Sequence, residues 1–218
     1  TRVAVFYPWT GLPALDRGSA RRLVPLINLF AAHYSEVRIL SPGLGNPIQS
    51  GNIEYLFQHP SRLERFLLRT AHWFYDGILH HSSRAQITPR ERRQWWHYLN
   101  VKLQPTLLRH VHELVAWSSI AFLECPFWGS TVRRACQRTK KNYLLTFEDV
   151  LSDLVTSNRW LRQRVSACER LASRDAAAVF SVSLHDQERF EANGIPTRVI
   201  PHGMETEPAL PTLDAGQI

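Results

Sequence analysis

The stretch Cys168–Met204, CERLASRDAAAVFSVSLHDQERFEANGIPTRVIPHGM, constrains the fold more than any other part of the chain. A helix ends near Ser173. The short apolar run Ala177 to Val182, with Asp175 before it and Ser183 after it, has the length and flanks of a strand buried on both faces. Ser183 stands at a helix N-cap position, and Asp186 three residues on suits the exposed amides of a first turn. Gly194 suits the left-handed C-cap of that helix. Thr197 to Ile200 reads as the next strand, closed by Pro201 and Gly203. Strand, short helix, strand is the repeating element of a parallel sheet, so an α/β chain is expected.

The same residues carry a family resemblance. Asp175, the strand Val179 to Ser183, Gly194-Ile195-Pro196 and Pro201-His202-Gly203 together resemble the end of the N-terminal domain of GT-B glycosyltransferases. The likeness is to the large, family-4-like retaining class that uses nucleotide sugars. It implies a Rossmann-like, acceptor-binding half, with the nucleotide-sugar donor held mainly by a second half that carries a Glu-x7-Glu pair. No two glutamates here have that spacing.

The totals bound the alternatives. At 218 residues the chain can bury a sizeable core as one large domain. Its three cysteines are an odd number without metal-ligand spacing, and they read as reduced thiols of a cytosolic protein. The opening residues do not read as a signal peptide, and no apolar run is long enough to span a bilayer. A cytoplasmic protein is expected, peripheral at most on the inner face of the membrane. The formal charge of +7 favours an anionic partner or surface. Seven tryptophans suit sugar faces, lipid interfaces and ordinary cores alike.

Arg2 to Phe6 is an apolar strand that begins almost at residue 1, as in a segment cut from a longer chain. Pro8 to Gly18 is a loop. In the resembled family this loop carries paired glycines against acceptor and donor phosphates, and Gly11 is the matching residue here; a plain turn is the alternative. Ser19 to Tyr34 is an amphipathic helix, with Leu23, Leu26, Ile27, Phe30, Ala31 and Tyr34 on one face. Pro25 within it asks for a start near Ala20. Val37 to Leu40 is a strand and Ser41 to Gly51 a loop. The partial Gly-x-Gly of that loop is no dinucleotide fingerprint, because Pro47 follows where a helix should open. Ile53 to Phe57 is a third, shorter strand.

Residues 60–112 read as a helical insert. Ser61 to Glu64 is a capping box, and Leu63, Phe66, Leu67, Phe74 and Ile78 can share the buried side of the helix it starts. Thr88 to Glu91 is a second capping box, opening a basic and aromatic helix with Arg90, Arg92, Arg93, Trp95 and Trp96; Pro105 should kink or restart it. Those residues suit an anionic membrane surface; the alternative is core tryptophans with solvated arginines. His110-Val111-His112 has no third metal ligand nearby in sequence.

Ser118 to Leu123 is a strand ending at Glu124, where the family often has an acidic residue and then proline, as Pro126 here. Ser130 to Thr139 reads as a helix and Tyr143 to Phe147 as the next strand. The family commonly places a cleft-lining histidine at that strand end, often followed by aspartate; Glu148 and Asp149 stand there. Ligands of open α/β sheets lie beyond the carboxyl strand ends, so this pair is the candidate catalytic one; helix capping by Asp149 with a solvated Glu148 is the alternative. Leu151 to Ala172 reads as helical, with Leu161, Val165, Cys168 and Ala172 at core spacing. Ser183, His185 and Asp186 are no hydrolase triad, since they lie within one helical turn and no Gly-x-Ser-x-Gly elbow is present.

The expectation is therefore a Rossmann-like three-layer α/β domain over 1–204, with a parallel sheet of about six or seven strands and a helical insert. Residues 205–218 read as linker or tail toward a donor-binding domain. The expected function is the acceptor-binding half of a nucleotide-sugar-dependent glycosyltransferase of polysaccharide or glycolipid assembly. Its catalytic residues would be Glu148 and Asp149. Gly11, Glu124, Ser183, His202 and Gly203 would line the cleft for a glycan or lipid-linked acceptor. No metal, cofactor or nucleic acid is expected. The competing class is a non-catalytic basic module that docks on membrane or another anionic partner.

Overall fold

Strand and helix alternate along the chain because the apolar pattern switches between runs buried on both faces and one-sided helical stripes. The computed structural model describes residues 1–8, 18–43, 45–82, 101–147, 150–153 and 159–200. Its strands are Arg2–Phe6 (β1), Glu36–Pro42 (β2), Ile48–Ser50 (β3), Ile53–Gln58 (β4), Ile120–Glu124 (β5), Tyr143–Phe147 (β6), Ala178–Ser181 (β7) and Arg198–Val199 (β8). They form one sheet in the order β3-β4-β2-β1-β5-β6-β7-β8. All neighbours are parallel except β3, which pairs antiparallel with β4.

The helices among the described residues are Gly18–His33 (α1), Arg62–Ser82 (α2), Pro105–Trp117 (α3), Gly129–Thr139 (α4), Arg159–Ser173 (α5) and Leu184–Ala192 (α6). Alternate residues of each central strand feed two cores. Val3 and Val5 of β1 pack with Val37, Ile39 and Phe122 under Leu23 and Ile27 of α1. Ala4 and Phe6 pack with Leu40, Leu123 and Leu145 under Val111 of α3, Val132 of α4 and Leu161 and Val165 of α5. Burial on both faces is why these strands read as unbroken apolar runs.

The expected α/β fold is present, with four differences. First, the sheet has an eighth strand, β3, inside the region read as loop. Gly51 has φ +59, a left-handed conformation that lets the chain reverse tightly into β4. Second, α1 starts at Gly18 with Pro25 well inside it. The proline is exposed, so water can satisfy the carbonyl four residues back. Third, Leu151 to Asp153 is a turn and not helix, while α5 spans Arg159–Ser173. Fourth, Leu63, Phe66 and Leu67 of α2 are exposed, while Glu64 and Leu68 face inward.

Pro105 restarts the chain as the first residue of α3, where its missing N–H has no partner to lose. All three cysteines are buried free thiols. Burial pushes the Cys136 and Cys168 thiols up to about 12, so neither is a nucleophile at neutral pH.

Gly129 opens α4 against α5. A β-carbon there would lie 2.3 Å from Ala172 Cβ and 3.0 Å from Ala172 Cα, so the two helices could not keep their spacing. Gly129→Ala is expected to lower unfolding free energy by about 1–3 kcal/mol, the scale of overpacking. Urea denaturation checks this, and an unchanged midpoint would show that the helices part at no cost.

Candidate functional site

Every parallel strand ends on the same edge of the sheet, and one place on that edge differs from the rest. From β1 the chain passes to β2 on one side, whereas β5 adds to β1 on the other. The order therefore reverses between β1 and β5, and a crevice at such a switch point is where open α/β sheets bind ligands. Phe6 is in register with Leu123, so Tyr7 and Glu124 follow at neighbouring strand ends. Glu124 is buried, and its register partner across β6 is Thr146.

Immediately after Glu124 the backbone is strained. Cys125 has φ 73 and ψ 142, a region that side chains other than glycine rarely occupy. The conformation is held from both sides. The Cys125 N–H donates to the Thr146 carbonyl at 2.9 Å. Pro126–Trp128 then forms a buried single turn leading straight into α4. The strand end is thus bent sharply at the switch point.

The turn Leu151–Asp153 that follows β6 in the chain is clamped to α5 and α6. Phe147 stacks on Phe190 of α6, centroids 4.3 Å apart. The Ser152 N–H donates to Glu169 Oε1 at 3.0 Å. Arg189 of α6 donates to Asp153 Oδ2 through Nε at 2.7 Å and Nη2 at 2.5 Å. These two anchors explain why Leu151–Asp153 is a turn and not the start of a helix. Glu169 is almost wholly buried. Burial pushes its carboxyl up to about 7, against hydrogen bonds from Ser152 and Leu151 that favour the ionised form; the neighbouring Asp153 adds to the rise. Glu169 thus anchors the Leu151–Asp153 turn from within the core.

A second polar cluster fixes the edge beyond β2. Glu64 Oε1 accepts from the Thr106 N–H and hydroxyl, each at 2.7 Å, and Oε2 accepts from the Ser61 N–H at 2.6 Å. The Glu64 N–H donates to Ser61 Oγ at 3.2 Å, completing the expected capping box. One carboxylate thereby serves the N-termini of both α2 and α3. Gln58 at the end of β4 donates to Thr106 Oγ1 at 3.0 Å, and its Oε1 lies 2.5 Å from His110 Nδ1. His110 is therefore engaged by an amide, and among the described residues no group of three or more His, Cys, Asp or Glu could hold a metal ion.

Of the residues singled out in the sequence, Glu124 lies at the switch point. Ser183 caps α6: the Asp186 N–H donates to its Oγ at 3.1 Å, and the hydroxyl donates to Asp186 Oδ2 at 2.5 Å. Gly194 has the positive φ expected of its C-cap. Gly11, Glu148, Asp149, His202 and Gly203 lie outside the described residues, as do Arg90, Arg92, Arg93, Trp95 and Trp96. Sequence reasoning missed Cys125 and Glu169. The first has no local signal. The second had one: Glu169 sits eight residues after Leu161, on the inward side of α5, where a carboxylate is out of place.

Solved structures share this architecture. The chain is similar to sucrose-phosphate synthase from Thermosynechococcus elongatus at 15% identity and a TM-score of 0.62, over 92% of this chain and 47% of that one. It is similar to HepE from Anabaena in complex with UDP at 14% identity and a TM-score of 0.55, over 94% and 45%. A UGT transferase from Siraitia grosvenorii in complex with UDP gives 11% identity and a TM-score of 0.51, over 92% and 50%. The chain thus spans about half the length of these structures. The likeness establishes the Rossmann-like fold found in GT-B glycosyltransferases. No protein-family model and no curated protein sequence matches the chain.

Proposed function

We propose that the chain is the acceptor-side half of a retaining, nucleotide-sugar-dependent glycosyltransferase. The observation that carries this reading is the switch point between β1 and β5, where strand ends, a buried glutamate and the strained Cys125 backbone meet at one edge. Support comes from the shared fold with structures described as UDP complexes. In this reading a donor-binding half, supplied beyond 205–218, closes over the edge, and a glycan or lipid-linked acceptor of polysaccharide or glycolipid assembly lies between the two.

Glu148 and Asp149 directly follow β6, whose residue Thr146 is in register with Glu124. Neighbouring carboxylates disfavour each other's ionisation, so one of the pair is suited to orient the acceptor hydroxyl or take its proton. Gly11 and His202-Gly203 also follow strand ends and would border the same cleft. The test uses the full-length gene product with nucleotide sugars and measures acceptor-dependent nucleotide release. Glu148→Gln is expected to lower turnover by about a hundredfold or more, the scale of general-base loss, with the melting temperature unchanged. Turnover equal to wild type would remove Glu148 from the chemistry. An absence of nucleotide release with any nucleotide sugar would overturn the glycosyltransferase reading.

A further inference from the structure

Leu63, Phe66 and Leu67, which the sequence pattern assigns to a core, face water instead, and Trp73 of the same helix does too. Leu63, Phe66, Leu67 and Trp73 are 67%, 64%, 40% and 78% exposed. Their spacing places them in one stripe along the helix. Thr70 falls in the same stripe, and its hydroxyl is used internally, donating to the Phe66 carbonyl at 3.0 Å. The rotation of the helix is set by Glu64, whose bonds to Ser61 and Thr106 turn that side inward together with Leu68.

Along one flank of the stripe lie Arg62, Arg65 and Arg69, all exposed. Among the described residues none of the three makes an ion pair. The only acidic residue between Arg62 and Trp73 is Glu64, and it is buried. Among the described side chains, this surface presents aromatic and aliphatic groups bordered by positive charge. Single exposed leucines are ordinary; a continuous apolar stripe rimmed by cations marks an interaction surface.

We infer that this face of α2 docks on an anionic lipid bilayer. Leu63, Phe66, Leu67 and Trp73 enter the boundary between headgroups and acyl chains, while Arg62, Arg65 and Arg69 lie among the headgroup phosphates. An apolar face with Trp and Phe beside an arginine-rich flank is the composition of a helix lying in a membrane interface. Among the described residues no helix is long and apolar enough to cross a membrane, so α2 lies along the surface. The formal charge of +7 pulls the same way. A second copy of the chain is the poorer occupant, because it would bring three more arginines against the first three. The surface precedes the Arg90 to Trp96 segment in the chain and is independent of any sugar chemistry.

Vesicle co-sedimentation of the full 218-residue chain tests the inference. Vesicles of phosphatidylcholine with about one-third phosphatidylglycerol are expected to bind it, with affinity falling as salt is raised, whereas pure phosphatidylcholine binds far less. The Phe66→Glu/Trp73→Glu double variant and the Arg62→Glu/Arg65→Glu/Arg69→Glu triple variant should each lose more than about tenfold in affinity. Melting should be unchanged, since all five side chains are exposed. Should the double variant lose helix content, Phe66→Asn gives the same readout with a loss of several-fold. Arg134→Glu/Arg138→Glu on α4 should retain most of the binding. No binding to the anionic vesicles, equal binding by the α2 variants, or an equal loss in the α4 control would overturn the inference. Self-association abolished by Phe66→Glu, in place of vesicle binding, would assign the face to a second copy. None of these results bears on glycosyl transfer, so the two readings fail separately.

Discussion

Replacing Glu64 by alanine is expected to cost about 3–4 kcal/mol of folding free energy at neutral pH, the scale of two or more charge-assisted hydrogen bonds lost from a buried site. The carboxylate receives the Ser61 N–H and both the N–H and the hydroxyl of Thr106. Alanine would leave two helix-terminal amides unpaired in a site that water scarcely reaches, and α2 would lose what fixes its rotation. Glu64→Gln should recover only part of the loss, because one of its two acceptors becomes an N–H donor facing another donor. The pH dependence has a definite sign. Burial opposes ionisation, but the hydrogen bonds from Thr106 and Ser61 outweigh it and hold the carboxyl below its ordinary 4.5. Its contribution is present above that value and is lost as pH falls through the lowered folded-state value. Guanidinium unfolding at pH 7 and near pH 3 measures both. A loss below about 0.5 kcal/mol at pH 7 would show that the network contributes nothing beyond an ordinary surface substitution.

Glu169→Gln is expected to act in the opposite direction. The folded-state carboxyl is raised from 4.5 to about 7, so the folded protein favours the protonated form. Stability from this group is full below pH 4.5 and lost as pH rises through about 7. Above that, keeping a charge in the buried site costs up to about 3 kcal/mol. Glutamine stays neutral, and its amide oxygen can still accept the Ser152 N–H. The variant should therefore be more stable than the parent at pH 8 by as much as that amount, and nearly equal to it at pH 5. Denaturant midpoints at the two pH values decide the matter. A variant less stable than the parent at pH 8 would mean that the ionised carboxylate is the better anchor for the loop after β6. In the proposed function the position of the Leu151–Asp153 turn matters, since Glu148 and Asp149 lie shortly before it in sequence.

Both carboxylates show where local reading stops. The Ser61–Glu64 capping box is legible because its partners lie three residues apart, within one turn. That Glu64 also receives Thr106, 42 residues away, is not legible, and this second bond decides which side of α2 is buried. The periodicity of Leu63, Phe66 and Leu67 is real, but periodicity states only that one stripe is apolar and does not say what it faces. Glu169 was legible only as an oddity on the inward side of α5, since the amide it accepts comes from a turn 17 residues earlier.

The candidate site divides along the same line. Glu124 is found from the sequence because an apolar run that stops at an acidic residue marks a strand end. Its place beside Tyr7 depends on β5 joining β1 and not β4, which brings together residues 117 positions apart. The strain at Cys125 has no signature in residue type, as cysteine is not selected for positive φ; it arises because Thr146 and the Pro126–Trp128 turn hold the chain from two sides.

By itself the sequence determined the elements whose causes are local: the strands β1 and β6, the caps at Ser61, Ser183 and Gly194, the restart at Pro105, and the strand–helix–strand repeat that makes the sheet parallel. Each rests on backbone hydrogen bonding or side-chain alternation within a few residues, where composition and spacing are sufficient. Only the tertiary structure decided the rotation of α2, the burial of Glu64 and Glu169, the pairing of β3 with β4 and the bend at Cys125. Those depend on which backbone amides and carbonyls arrive from distant parts of the chain, and a buried charge is tolerated only where such partners are already in place.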